Sequence, residues 1–209
     1  MPLSPFANRI TSVASALAGG GVGGTYIEAS LLLSAVISGM AAACRQFVEA
    51  WARFADSPLN PVRISQPLLR QALASSGRSQ EASAIAKIRP GFPFPRVVTE
   101  EEIDLDETEV QTALPSLQLK KIRQYSYPVI FYEQVRSSVV HESEIGDNVT
   151  PRPMANSGRT VSYENYCSTR RVHFHIPWLV EIARSIAASV DRQYSSLSIA
   201  AVNSWWVEG

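Results

Sequence analysis

The chain has few cysteines, few lysines and no net charge, and each of these features excludes a class of protein. Its 209 residues contain two cysteines, Cys44 and Cys167, far apart in sequence, so the sequence predicts two reduced thiols and no structural zinc. The formal net charge is zero, with sixteen arginines and only three lysines. A chain without a basic excess has no global field that attracts nucleic acid, so any nucleic-acid site must be local.

The chain also lacks a long unbroken apolar run. The longest one, residues 29–44, is interrupted by Ser30, Ser34, Ser38 and Gly39, which makes it too short and too broken to span a bilayer. The first nine residues have no basic stretch followed by an apolar core, so the sequence predicts no signal peptide. We therefore expect a cytoplasmic protein without a membrane partner.

Local patterns predict one mainly α-helical domain over residues 1–209. A short helix and a Gly-rich connector make up residues 1–24, after which Thr25 and Glu28 form a capping box that starts a long helix. The predicted helices span residues 6–18, 26–55, 65–74, 119–141 and 178–192.

Two stretches do not fit a helix along their whole length. Residues 75–113 have little apolar periodicity and contain a proline-rich part and an acidic run, residues 100–109, so they are predicted to be irregular. The acidic run is typical of a solvated helix start, and a regulatory acidic arm is the alternative. Residues 161–166 and 171–176 alternate like strands and predict a β-hairpin insertion over residues 159–177.

The second predicted strand carries two histidines on one face. Alternation places Val172, Phe174 and Ile176 inward and turns His173 and His175 outward. Alternate histidines can chelate a metal, but the local sequence places no third ligand beside them, so no metal is predicted. An RNA-contacting basic strand and a plain exposed strand face both remain open. The residues that would contact RNA are Arg170, Arg171, His173 and His175.

The most informative segment covers residues 125–142, where an aromatic, apolar stretch leads to an arginine and, five residues later, a histidine. An imidazole can take the proton of an RNA 2′-hydroxyl, and a guanidinium can bind the scissile phosphate. Arg136 and His141 therefore provide the kinds of side chain that RNA cleavage without a metal ion requires. A second pair with this spacing, Arg170 and His175, lies on the predicted hairpin.

Helical periodicity favours the first pair. Arg136 and His141 lie about 140° apart on the side of the predicted helix that faces away from its apolar stripe. Pro128 predicts either a kink or a helix that begins near Tyr127. The apolar stripe consists of Phe131, Val135 and Val139.

Branched apolar residues also lie on the polar side of this helix and predict a second contact surface. These residues are Val129, Ile130 and Val140. If two copies of the helix met there around a two-fold axis, Arg136 of one copy would lie near His141 of the other. The sequence therefore predicts a homodimer with a composite site.

Residues 132–142 (Tyr-Glu-Gln-Val-Arg-Ser-Ser-Val-Val-His-Glu) resemble the signature helix of HEPN-domain proteins, and residues 26–54 resemble the long first helix of that fold. The resemblance implies an HEPN-like helical bundle and a homodimeric, metal-independent endoribonuclease of a toxin or antiviral defence system. It implies no cofactor, RNA as substrate, and a cognate antitoxin or defence-complex protein as partner. The family commonly has Asn, Asp or His where this chain has Ser137. The implied site residues are Arg136 and His141 as catalytic groups, with Tyr132, Glu142 and Ser137 in support.

Other interpretations stay open. An arginine and a histidine near a helix end are also typical of a surface cation and a partner of the helix dipole. Zero net charge favours a non-catalytic helical interaction module, which would bind its partner through Ile130, Val140 and the terminal Trp205 and Trp206. The proline-rich middle of the chain favours a third interpretation, a subunit of a larger assembly.

Overall fold

The protein is mainly α-helical, with a small antiparallel hairpin before its last helix, and this confirms the predicted fold class at that level. Whereas the sequence predicts one domain, the backbone contacts divide the chain into two compact units, residues 1–61 with 176–209 and residues 62–175. The structure, a computed structural model, describes residues 3–20, 25–42, 51, 62–89, 98–99, 103–142, 144–152, 160–166 and 169–195.

In the part of the first unit that the structure describes, three helices all contact one another: α1 (Leu3–Ala18), α2 (Tyr26–Ala42) and the last helix, α9 (Ile176–Ser195). α1 buries mainly small side chains, which let a neighbouring helix approach closely. These are Ala7, Thr11 and Ala14, together with Leu3. No helix among the described residues has the length and apolarity that crossing a membrane requires.

Side-chain caps begin two of these helices. The predicted capping box of α2 is confirmed, because the Thr25 N–H donates to the Glu28 carboxylate at 2.9 Å. α1 is capped from α9 instead, where the Asp191 carboxylate accepts the N–H groups of Leu3 at 2.6 Å and Ser4 at 2.8 Å. Both carboxylates pair amides that the first turn of a helix leaves without internal acceptors.

Short helices precede residue 127 in the part of the second unit that the structure describes. They are α3 (Gln66–Ser75), α4 (Ser79–Ile88), α5 (Glu107–Ala113) and α6 (Leu119–Arg123). α4 and α5 lie in the stretch predicted to be irregular, so that prediction is wrong for them. α5 begins at the acidic run, as the helix-start interpretation expects, with a capping box between Asp106 and Glu109.

A three-stranded antiparallel sheet in the order β1-β2-β3 packs in the same unit. Its strands are β1 (Val98–Thr99), β2 (Val161–Tyr166) and β3 (Thr169–Phe174). β2 and β3 form the predicted hairpin, in a register that pairs Val161 with Phe174, but β3 begins and ends two residues before the predicted second strand and Ile176 begins α9. The short β1 was not predicted and pairs with β2.

The predicted long helix over residues 119–141 is two helices, because α6 ends at Arg123 and a new helix begins at Tyr127. Pro128 lies in the first turn of the new helix, where a missing N–H costs little, which confirms the alternative of a helix starting near Tyr127. This motif helix consists of α7 (Tyr127–Phe131), a π-helical turn (Tyr132–Ser137) and α8 (Ser138–Glu142).

A buried carboxylate anchors the start of the motif helix. Asp104 is fully buried, and its Oδ2 accepts hydrogen bonds from the hydroxyls of Tyr127 at 2.5 Å and Tyr163 at 2.6 Å. Its Oδ1 accepts the N–H of Gln66 at 2.9 Å, and the Tyr163 hydroxyl also lies 2.8 Å from the Ser65 hydroxyl. The carboxylate therefore links the start of α3, the motif helix and β2.

Some predicted features lie outside the described residues. These are most of the long helix beyond residue 42, the proline-rich part at residues 90–96, both cysteines and the two terminal tryptophans, Trp205 and Trp206.

Candidate functional site

The structure brings two of the predicted site residues together on the motif helix. Nη1 of Arg136 donates to the Tyr132 hydroxyl at 3.2 Å, and the guanidinium carbon lies 5.0 Å from the centre of the Tyr132 ring. Both side chains are half-buried. The tyrosine, one turn before the arginine, therefore holds the guanidinium by a hydrogen bond and a cation–π contact.

Arg136 and Tyr132 both lie in the π-helical turn, which the sequence did not predict. At the end of this turn the Ser138 N–H donates to the carbonyls of Glu133 and Val135 and not to that of Gln134, its usual α-helical acceptor. The Gln134 carbonyl accepts the N–H of Gly146 instead, at 2.8 Å. A π turn accommodates one residue more than an α turn and is frequent at functional sites.

The other predicted site residues lie beyond or within this turn. His141 and Glu142 are exposed in the last turn of the motif helix, and Ser137 is half-buried beside Arg136. His141 is therefore accessible to a ligand.

The predicted contact surface survives only in part. Ile130 is 4% exposed, so the prediction that it faces outward is wrong, whereas Val129 is half-buried and Val140 is 56% exposed. The cause is that the second unit encloses the first turn of the motif helix on several sides. The buried residues there are Tyr127, Pro128, Ile130 and Phe131.

The outward orientation predicted for the two hairpin histidines is wrong as well. His173 is 4% exposed and His175 is 8% exposed. Val172 and Phe174 are buried as predicted, and Phe174 packs edge-on against Phe131 with 5.3 Å between ring centres. β3 is thus covered on both faces, which the alternation of polar and apolar residues does not reveal.

Both histidines make hydrogen bonds in their buried positions. Nδ1 of His173 lies 3.1 Å from the Thr150 carbonyl, Nε2 of His175 lies 3.0 Å from the Ser162 hydroxyl, and the two ring centres are 4.9 Å apart. Burial lowers the pKa of His173. Burial and the neighbouring His173 lower the pKa of His175 to about 4. Near neutral pH, His175 is therefore uncharged.

The four residues predicted to contact RNA do not form one basic strip. The two histidines are buried, and Arg170 and Arg171 are half-buried on opposite faces of β3. Burial, and then repulsion from Arg70, lower the pKa of Arg170 from its usual value. Within the part of the chain that the structure describes, no group of three or more His, Cys, Asp or Glu residues could hold a metal ion.

Acidification is expected to destabilise the folded protein through His175. Its pKa is about 4 in the folded state, and an unfolded histidine titrates near about 6.5, so the unfolded state binds more protons between these values. The contribution of neutral His175 to the free energy of unfolding is complete above about pH 6.5. As the pH falls towards 4, roughly 2–3 kcal/mol of this contribution is lost. Urea unfolding at a series of pH values measures this loss.

The control for this prediction is a pair of variants. His175→Gln should reduce the dependence of the unfolding free energy on pH, because the buried titrating group is removed. His141→Gln, at an exposed position, should leave most of it in place. A pH dependence that is the same in His175→Gln and in the unchanged protein would contradict the account.

Two structural elements of the site were missed from the sequence. Asp104 lies between Ile103 and Leu105, and all three are buried. An acidic residue between two apolar ones is the local signal that could have separated it from the solvated carboxylates nearby. Gly146 follows the motif helix, and no local pattern marks it as the partner of Gln134.

Comparisons of the chain with protein-family models, with curated proteins and with solved structures find no match in any of the three.

Proposed function

We propose that the protein is a metal-independent endoribonuclease of the HEPN type, acting in a toxin or antiviral defence system. Arg136 binds the scissile phosphate, and His141 is the general base or acid. The observation that supports this most is the Arg136 guanidinium held by Tyr132 in a π turn of the helix that also carries the exposed His141. The mainly α-helical fold is compatible with that family, and the assignment to a defence system comes from the sequence resemblance alone.

The reaction requires a base, an acid and a group that stabilises charge on the phosphate. A neutral His141 imidazole removes the proton of the 2′-hydroxyl, and the 2′-oxygen attacks the phosphorus. The bond from phosphorus to the 5′-oxygen breaks, and the imidazole, now protonated, gives its proton to that leaving oxygen. The Arg136 guanidinium stabilises the charge that develops on the phosphate. The products are a 2′,3′-cyclic phosphate and a 5′-hydroxyl.

A second copy of the chain supplies what one motif helix lacks. Residues five apart point about 140° from each other on an α-helix, and the π turn covers only the first part of the interval from Arg136 to His141. Two copies related by a two-fold axis place Arg136 of one beside His141 of the other, so each of the two symmetric sites contains one guanidinium and one imidazole. Val140, next to His141, is the exposed apolar side chain on which that contact would form.

The direct test is incubation of the purified protein with labelled RNA in EDTA. We expect cleavage, with 2′,3′-cyclic phosphate ends on the products and no cleavage of a substrate that has a single 2′-deoxy position at the cut site. RNA that stays intact, or that is cut only after a divalent metal is added, would contradict the proposal.

A non-catalytic interaction module, or a subunit of a larger assembly, is the second candidate function. The exposed Val140 and the zero net charge favour it, since both suit a protein partner better than a polyanion. In the EDTA experiment it predicts intact RNA. Its partner would be an antitoxin or defence-complex protein that covers the Val140 surface.

Val140→Asp is expected to break the dimer and lower RNA cleavage at least about tenfold, because it places a charge in the two-fold contact. Sedimentation velocity and single-turnover cleavage measure the two effects. The matched control is Val13→Asp on α1, which changes a valine of similar exposure, 45%, and should alter neither. A Val140→Asp protein that remains dimeric would refute the proposed contact.

A further inference from the structure

The π turn has a partner outside the helix. The Ser138 N–H donates to the carbonyls of Glu133 and Val135, so it does not donate to the Gln134 carbonyl as it would in an α-helix. The Gln134 carbonyl can therefore accept a hydrogen bond from outside the helix. The Gly146 N–H donates that hydrogen bond, at 2.8 Å. The extra residue of the turn is thus stabilised by a bond from the chain that follows the motif helix.

The segment that supplies this bond, residues 144–150, is itself fixed at its far end; we call it the latch loop. The Val149 N–H donates to the Gly146 carbonyl at 3.0 Å. The Thr150 N–H donates to the Val172 carbonyl at 2.9 Å, which attaches the loop to the edge of β3. The latch loop therefore ties the π turn to the sheet of the second unit.

Glycine is the residue that fits at position 146. A Cβ atom there would lie 2.2 Å from Oε1 and 2.8 Å from Cδ of the Gln134 side chain, and 3.2 Å from the Gln134 Cα. The side-chain atoms can move away, whereas the Cα belongs to the helix and moves only with it. The loop can therefore approach the turn closely because residue 146 has no side chain.

The wide turn determines how α8 is rotated about the helix axis. It contains one residue more than an α turn, so its conversion to α-helix would rotate α8 by about 100° relative to α7. His141 lies in α8, beyond the turn, and Tyr132, which holds Arg136, lies at its beginning. The relative placement of His141 and Arg136 therefore depends on the turn.

We infer that Gly146 is a positioning residue of the Arg136–His141 surface: its amide holds the Gln134 carbonyl in the π turn and so fixes the direction of His141 relative to Arg136. The inference rests on the proposed function for its effect on RNA cleavage. Its structural half, the dependence of the turn on Gly146, does not.

The test compares Gly146→Ala with the unchanged protein in two separate readouts. NMR measures the hydrogen bond from the Ser138 amide to the Glu133 carbonyl and the exchange protection of the amide at position 146. Single-turnover kinetics measure RNA cleavage, and anisotropy measures RNA binding. We expect loss of the bond and of the protection, a fall in the cleavage rate of about 10- to 100-fold, and RNA affinity changed less than about threefold.

Two control variants separate the latch from general destabilisation. Gln134→Ala removes the side chain that a methyl group at position 146 would strike and keeps the backbone bond, so it should retain the turn and the cleavage rate. The double variant Gly146→Ala/Gln134→Ala should regain much of the π turn and of the cleavage rate that Gly146→Ala alone loses. Ile85→Val, in the core of the same unit, has a comparable stability cost and should leave the Ser138 bond intact.

A Gly146→Ala protein that retains the bond from Ser138 to Glu133 overturns the inference, whatever its activity. A protein that loses this bond and cleaves RNA at the unchanged rate overturns the positioning role. If the unchanged protein cleaves no RNA, the proposed function has failed. Loss of the bond in Gly146→Ala would then still support the latch, and its retention would still refute it.

Discussion

Asp104→Ala is expected to lower the free energy of unfolding by about 3–5 kcal/mol, the largest loss of stability that we expect from a single substitution in the second unit. The carboxylate is fully buried and accepts bonds from two tyrosine hydroxyls and one backbone amide. Without it, the three donors stay buried and lose the acceptor that they share, although Tyr163 retains its contact with the Ser65 hydroxyl. Tyr127 begins the motif helix, so the start of that helix should loosen as well.

Urea unfolding followed by circular dichroism measures this loss. Tyr127→Phe and Tyr163→Phe each remove one donor and keep the ring, and each should cost about 1–2 kcal/mol. Asp147→Ala, at an exposed aspartate of the same unit, should change stability by less than about 0.5 kcal/mol. If Asp104→Ala cost no more than Asp147→Ala, the carboxylate would not hold the unit together.

His141→Ala is expected to lower the single-turnover rate of RNA cleavage by about 10²- to 10⁴-fold, the range that a positioned proton-transfer group contributes. Because His141 is exposed, its removal should change the free energy of unfolding by less than about 0.5 kcal/mol. RNA affinity should change little, since the proposed mechanism assigns phosphate binding to Arg136. A loss of rate with unchanged stability and affinity would identify a catalytic group.

Two matched variants sharpen this comparison. Arg136→Ala should lower both affinity and rate, because it removes the group that binds the phosphate. Glu142→Ala, next to His141 and equally exposed, should lower the rate only a few-fold if it orients the imidazole. A His141→Ala protein that cleaves RNA as fast as Glu142→Ala would show that the histidine transfers no proton.

Elements set by local chemistry could be predicted from the sequence. The capping box at Thr25 and Glu28, the hairpin of β2 and β3 and the helix start at Pro128 each depend on a few adjacent residues. Their signals are caps, alternation and proline position, which act over one or two turns of chain. The structure confirms all three.

Burial by distant segments could not be predicted in the same way. Periodicity assumes one buried face and therefore predicted that Ile130 faces outward, whereas four of the five residues of α7 are buried, Ile130 among them. Alternation likewise predicted that His173 and His175 face outward, although both are buried in the structure. A buried histidine must be uncharged or paired with an opposite charge, and the neighbouring residues in the sequence do not show which of the two applies.

The elements that shape the site depend on contacts between residues far apart in sequence. Asp104 meets Tyr163 across 59 positions of the chain, and Gly146 stabilises a turn that begins before Arg136. The turn itself has no marker in residues 132–137, whose local pattern predicts an ordinary α-helix. The sequence therefore predicts candidate groups for the proposed RNA cleavage, and the tertiary contacts determine the orientation of these side chains.

The most direct test of the composite ribonuclease site is a mixture of two inactive variants. Arg136→Ala retains His141, and His141→Ala retains Arg136, so a mixed dimer contains one complete site if each site combines the two residues across the two-fold axis. Refolding the variants together in equal amounts should restore about a quarter of the unchanged protein's RNA cleavage in EDTA, since about half of the dimers are mixed and each has one of two sites. A mixture as inactive as either variant alone would contradict the account.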